Sequence, residues 1–157
     1  MPGSRPRPAK KCHPKPRMCA MVKPRLLIID DAEYLTLLYK EELLDEGYDV
    51  DVANTISEAR KLLKNKLYNL VIAEIELKEK NNYVNIWVTL NQMKNELPVL
   101  INTAKPLSDV EKKQYSFESY IEKSSDISLL KEKVKVVLDK YHYTEMSAYA
   151  GLSSTVL

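Results

Sequence analysis

The chain has 157 residues, 45% hydrophobic and 29% charged with a formal charge of +2, enough for one domain with a buried core. It has no run of about 18 apolar residues and no apolar stretch behind the basic N-terminus, which argues against a membrane span and a secretory signal and makes a cytoplasmic protein the expectation. The small net charge hides a split: residues 1–25 hold eight Lys/Arg, six of the eight prolines and no acid, while the remainder holds 16 basic and 22 acidic residues.

Residues 1–22 are predicted to be a disordered, basic, proline-rich extension, because they bury too little apolar surface to repay ordering. Met21-Val22-Lys23 would open the folded part cleanly. Nonspecific charge could bring the extension to nucleic acid, but it has no aromatic residue to stack on bases, which weighs against that use. Cys12 and Cys19, with His13 between them, lack a usual zinc spacing and are expected to be free thiols. Residues 23–141 are assigned to the domain and 142–157 to a trailing tail.

From Arg25 onward short apolar runs alternate with helical patterns. Leu26-Leu27-Ile28-Ile29 reads as a first strand ending in Asp30-Asp31. The first helix has Leu35, Leu38 and Tyr39 on one side and Gly47 as its left-handed cap. Tyr48 to Ala53 is a second strand, and Thr55-Ile56-Ser57-Glu58 is a capping box opening a helix with a stripe of Ile56, Ala59, Leu62 and Leu63. A third strand runs from Leu70 to Ile75.

A third helix is expected to carry Tyr83, Ile86, Trp87, Leu90 and Met93 and to stop before Pro98. Val99-Leu100-Ile101 is the fourth strand. Ser108-Asp109-Val110-Glu111 is a capping box for a short fourth helix, and Tyr120-Ile121 is a brief fifth strand. Ile127, Leu130, Val134, Val137 and Leu138 define the last helix. Five strands alternating with five helices predict an α/β fold: a doubly wound, flavodoxin-like parallel sheet of order 2-1-3-4-5 with helices on both faces.

Sites in such sheets lie at the carboxyl ends of the strands. Asp30 and Asp31 end the first strand, Glu74 the third, Thr103 the fourth, and Lys123 follows the fifth. Three carboxylates, a hydroxyl and an ammonium would then share one depression. Crowded carboxylates repel unless a cation intervenes, and Mg²⁺, which takes a few carboxylates plus water and phosphate oxygens, is the natural candidate. The set reads as a site for a phosphoryl group.

At these positions the sequence resembles a response-regulator receiver domain of two-component signalling, from Leu26 to Tyr141. The matching stretches are Ile28-Ile29-Asp30-Asp31, Tyr68 to Glu74, Pro98 to Ala104, and Tyr120-Ile121-Glu122-Lys123. The resemblance implies that Asp30 and Asp31 are a metal-binding pair, Thr103 and Tyr120 switch residues, Lys123 the conserved lysine, and Glu74 the occupant of the phosphoacceptor position. It also matches the backbone carbonyl of Glu76 to a metal ligand, with a solvated side chain.

Glutamate is one methylene longer than the family's aspartate. A misplacement of about 1 Å can cost on the order of 10²-fold in rate, so efficient phosphorylation is not expected. The same reach could let Glu74 engage Lys123 or Thr103 and imitate part of the activated state, with about −1 charge against roughly −2 for a phosphoryl group. The loop Leu77 to Asn82 lacks the family's proline and glycine, and Ser124 stands where a proline usually follows the lysine, so a trans bond is expected there.

The expectation is therefore a non-enzymatic pseudo-receiver acting by protein–protein contact, through the face of the fourth helix, fifth strand and fifth helix. Its partner would be a histidine kinase or a downstream regulator. The alternatives are a Mg²⁺-dependent phosphoaccepting regulator and a nucleic-acid-binding protein using the basic segment.

Overall fold

The computed structural model describes residues 23–92 and 97–152, with side chains described through residue 141. In chain order the elements are β1 (Arg25–Ile29), α1 (Glu33–Asp45), β2 (Asp49–Ala53), α2 (Ile56–Asn65), β3 (Leu70–Ala73), β4 (Glu76–Glu79), β5 (Asn82–Asn85), α3 (Ile86–Gln92), β6 (Val99–Thr103), α4 (Asp109–Gln114), β7 (Ser119–Glu122) and α5 (Ile127–Leu152). Residues 1–22 and Met93 lie outside the described residues, and with them the extension and its thiols.

The main sheet has five parallel strands in the order β2-β1-β3-β6-β7. With the two hairpin strands left out of the count, this is the predicted 2-1-3-4-5. Alternation along the strands feeds two apolar layers. Leu27, Ile29, Val71, Ala73 and Ile101 face α2, α3 and the hairpin, while Leu26, Ile28, Leu70, Ile72 and Leu100 face α1 and α5. No described helix is long and apolar enough to cross a membrane.

Three expectations are corrected. First, β4 and β5 form an antiparallel hairpin in register from Glu76↔Asn85 to Glu79↔Asn82, where a loop and the start of a helix were expected. Tyr83 therefore lies on a strand, exposed, and α3 starts only at Ile86. The two-residue turn is Lys80-Asn81, and Lys80 takes φ 55 without being glycine. Leu77 explains why the segment is not a loose loop: it is fully buried in the core beside Ile75 and Ile86.

Second, α1 buries Thr36, Tyr39 and Leu43 and leaves Leu37, Leu38 and Leu44 exposed. Leucines occur all round this helix, so periodicity does not choose its inner face. Third, α5 continues to Leu152 rather than trailing off after Tyr141. Residues 142–150 contain no proline or glycine to stop it.

The caps follow the sequence. Gly47 adopts φ 94, and its N–H donates to Leu44 O at 2.9 Å, closing α1. Thr55 accepts from the Glu58 N–H at 3.1 Å, although the Glu58 carboxylate reaches back to the Asn54 N–H instead of that of Thr55. On α4 both halves of the Ser108–Glu111 box are present. That helix buries none of its residues, so capping and the buried Leu107 before it hold it in place.

Candidate functional site

The sheet ladder carries on one step past the strands and so fixes the residues that follow them. The Asp30 N–H donates to Ala53 O (3.1 Å), the Glu74 N–H to Ile29 O (2.9 Å) and the Lys123 N–H to Thr103 O (2.8 Å). Asp30, Glu74, Thr103 and Lys123 thus start their side chains from neighbouring points at one end of the sheet. Asp30, Glu74 and Thr103 are buried, with Glu74 only 6% exposed. Glu74 is not a solvated strand end.

Its carboxylate is saturated with donors. Oε1 accepts from the Thr103 hydroxyl and from the Ile75 N–H (2.8 Å). Oε2 accepts from the Ala104 N–H (3.1 Å) and faces the Lys123 ammonium at 2.9 Å. Lys123 also reaches Asp30 Oδ2 at 2.5 Å, while Asp30 Oδ1 accepts from the Ala32 N–H (2.9 Å). One ammonium therefore bridges two buried carboxylates.

The protonation equilibria follow from these contacts. Burial pushes the Glu74 carboxyl up, but the Thr103, Lys123 and Ala104 donors outweigh it and hold the pKa below the ordinary glutamate value. For Asp30 burial wins over Lys123 and Ala32, and its pKa is raised. Burial pulls Lys123 down, yet its two carboxylates carry it above the usual lysine range.

Two of the expected residues lie apart from this set. Asp31 turns Oδ2 to the Lys78 N–H of the hairpin at 3.2 Å. Tyr120 places its hydroxyl in the loop before α4, accepting from the Leu107 N–H (3.1 Å) and donating to Glu122 (3.0 Å). Its ring packs near Phe117, with the Lys112 ammonium 5.2 Å from the ring centre. Tyr120 is thus joined to the site through the loop from Ala104 to Leu107 and not by direct contact.

As arranged, Asp30 and Asp31 do not form a ready Mg²⁺ site. That ion needs near-octahedral oxygen ligands converging on one point. Here both Asp30 oxygens and one Asp31 oxygen already accept hydrogen bonds or face an ammonium, each in a different direction. Among the described residues no three His, Cys, Asp or Glu side chains come together as a metal-binding group. Glu76, whose carbonyl was matched to a metal ligand, lies in β4, and its carboxylate pairs with Lys105 at 2.9 Å at the surface.

Sequence reasoning missed Asn54 and Glu79. Asn54 donates from Nδ2 to Asp30 O (2.8 Å) and to the Thr36 hydroxyl (3.3 Å), steadying the β1–α1 turn. It follows β2 directly, so the strand-end rule could have found it. Glu79 accepts from the Ile56 N–H at the start of α2 (2.7 Å). No local signal marks it, because its partner is 23 positions away.

Residues 26–135 match the response regulator receiver domain family. The chain belongs to this family. Among solved structures, this receiver is 30% identical to the response regulator TrrA of Thermotoga maritima, determined in complex with Mg²⁺-BeF, at TM-score 0.63 over 73% of this chain and 98% of that one. A CheY-like receiver domain protein of Methanospirillum hungatei is 24% identical, with TM-score 0.70 over 78% and 99%, a likeness of fold.

Two transcriptional regulatory proteins also match. The receiver is 28% identical to CpxR of Escherichia coli over 123 residues and 32% identical to AlgB of Pseudomonas putida, the alginate biosynthesis regulator, over 88. These matches take in 77% and 54% of this chain, but only 52% of CpxR and 19% of AlgB. The domain is thus that of two-component signal transduction.

Proposed function

We propose that this receiver is a pseudo-receiver whose pocket is occupied by its own Glu74 in place of a phosphoryl group, fixing one signalling state for recognition by a protein partner. One observation carries the reading: the buried Glu74 carboxylate collects the Thr103 hydroxyl, the Ala104 N–H and the Lys123 ammonium together. A hydroxyl, a backbone amide and a lysine converging at strand ends form a site for a tetrahedral oxyanion, and here an internal carboxylate uses all three. Charge supports the reading, since the one Lys123 ammonium faces both Asp30 and Glu74 and offsets part of their charge.

On this reading the protein is not an enzyme and works in the cytoplasm. Its partner is a kinase or a downstream regulator that reads the α4, β7 and α5 face, where Tyr120 is fixed by Leu107. The test is incubation of the full chain with Mg²⁺ and a small acyl phosphate donor, followed by intact mass. The wild type should keep its mass. Glu74→Asp should keep its mass as well, because Asp30 and Asp31 are held by Lys123 and the Lys78 N–H and offer Mg²⁺ no ready site. Stoichiometric labelling of wild-type Glu74 overturns the proposal in favour of a Mg²⁺-dependent phosphoacceptor.

A further inference from the structure

The β4–β5 hairpin stands directly after the acidic site, and its contacts run to separate parts of the fold. The Lys78 N–H donates to Asp31 (3.2 Å) at the end of β1. Glu79 takes the Ile56 N–H (2.7 Å) at the start of α2. Glu76 pairs with Lys105 (2.9 Å) beyond β6, and Asn85 donates to the Tyr115 hydroxyl (2.7 Å) beyond α4. Beneath these contacts Leu77 is completely buried in the core. A backbone amide held by a buried neighbour and an anchored carboxylate cannot leave Asp31 unless the whole turn lifts.

We propose that the hairpin is a strap that withholds Asp31 from divalent cations. The mismatch with Mg²⁺ then has a mechanical origin. Asp31 and Asp30 come from adjacent positions, yet one carboxylate is committed to the strap and the other to Lys123. A cation that takes Asp31 through Oδ2 competes with the Lys78 N–H, and displacing that amide also disturbs the contact that Glu79 makes with α2. Strap and cation thus compete for Asp31, the strap by fixing the direction in which its carboxylate points. Glu74 is unchanged in every protein used in the test, so the strap is tested apart from it.

The experiment uses the full chain, Mn²⁺ alone as probe, and two readouts, amide hydrogen exchange and paramagnetic broadening of backbone amide NMR signals. In the wild type the Lys78 and Ile56 amides should be protected, and Mn²⁺ should leave the signals of residues 30–32 sharp. Glu79→Ala should speed exchange at both amides by about tenfold. In the same variant Mn²⁺ should now broaden residues 30–32. Glu79→Gln, which keeps an acceptor oxygen for Ile56, should behave as the wild type does. Three results each overturn the proposal: broadening at residues 30–32 of the wild type while Lys78 stays protected, faster exchange in Glu79→Ala without broadening, or unchanged exchange in that variant.

Discussion

Lys123 lies between Asp30 and Glu74, and its removal strands two buried carboxylates. Breaking a buried ion pair by deleting one partner costs about 3–5 kcal/mol, so Lys123→Met should lower unfolding stability by roughly that amount in denaturant titrations. Glu74 also sets a pH dependence. Its folded pKa lies below the ordinary 4.5, so the stability it contributes is present above pH 4.5 and is lost as pH falls through the folded value. Asp30 runs the other way: its raised pKa gives stability below 3.8 that is lost as pH rises through the folded value. The difference in melting temperature between wild type and Glu74→Gln isolates the first effect, and it should shrink as the pH is taken below 4.5.

Individual elements differ in how far their sequences determine them. The capping residues of α2 and α4 were legible because a hydroxyl and a carboxylate three residues apart act locally. Thr55→Ala should cost about 1 kcal/mol, measured by thermal melting. The hairpin was not legible. Its turn has no glycine, and Lys80 holds a left-handed conformation that propensity would not assign to it. Lys80→Gly should relieve that strain and stabilise the fold by about 0.5–1 kcal/mol, once the greater freedom of the unfolded glycine is allowed for. Tyr83 misled for a related reason, since tyrosine suits a strand as well as a helix face. The inner face of α1 was hidden because Thr36, a polar residue, is buried there against Glu33 O and Asn54.

Over the whole molecule, five apolar runs and the right-handed crossover rule were enough for the sheet order, because parallel strands buried on both faces permit few arrangements. The same topology brought Asp30, Glu74, Thr103 and Lys123 together. It could not show that Asp31 would be captured by the hairpin, because that depends on where Leu77 finds room to bury. The exposed residues Tyr34, Leu37, Leu38 and Leu44 along α1 have no explanation within the domain's own packing.

A counter-ion supplied by a lysine side chain has no dissociation constant. The ammonium between Asp30 and Glu74 is tethered to the chain, so its local concentration does not follow that of the ambient ions. On the proposed reading, a receiver whose oxyanion site is filled by its own Glu74 is set when it folds, so its output would vary with how many copies a cell makes. Accordingly, EDTA should leave its melting curve where it was.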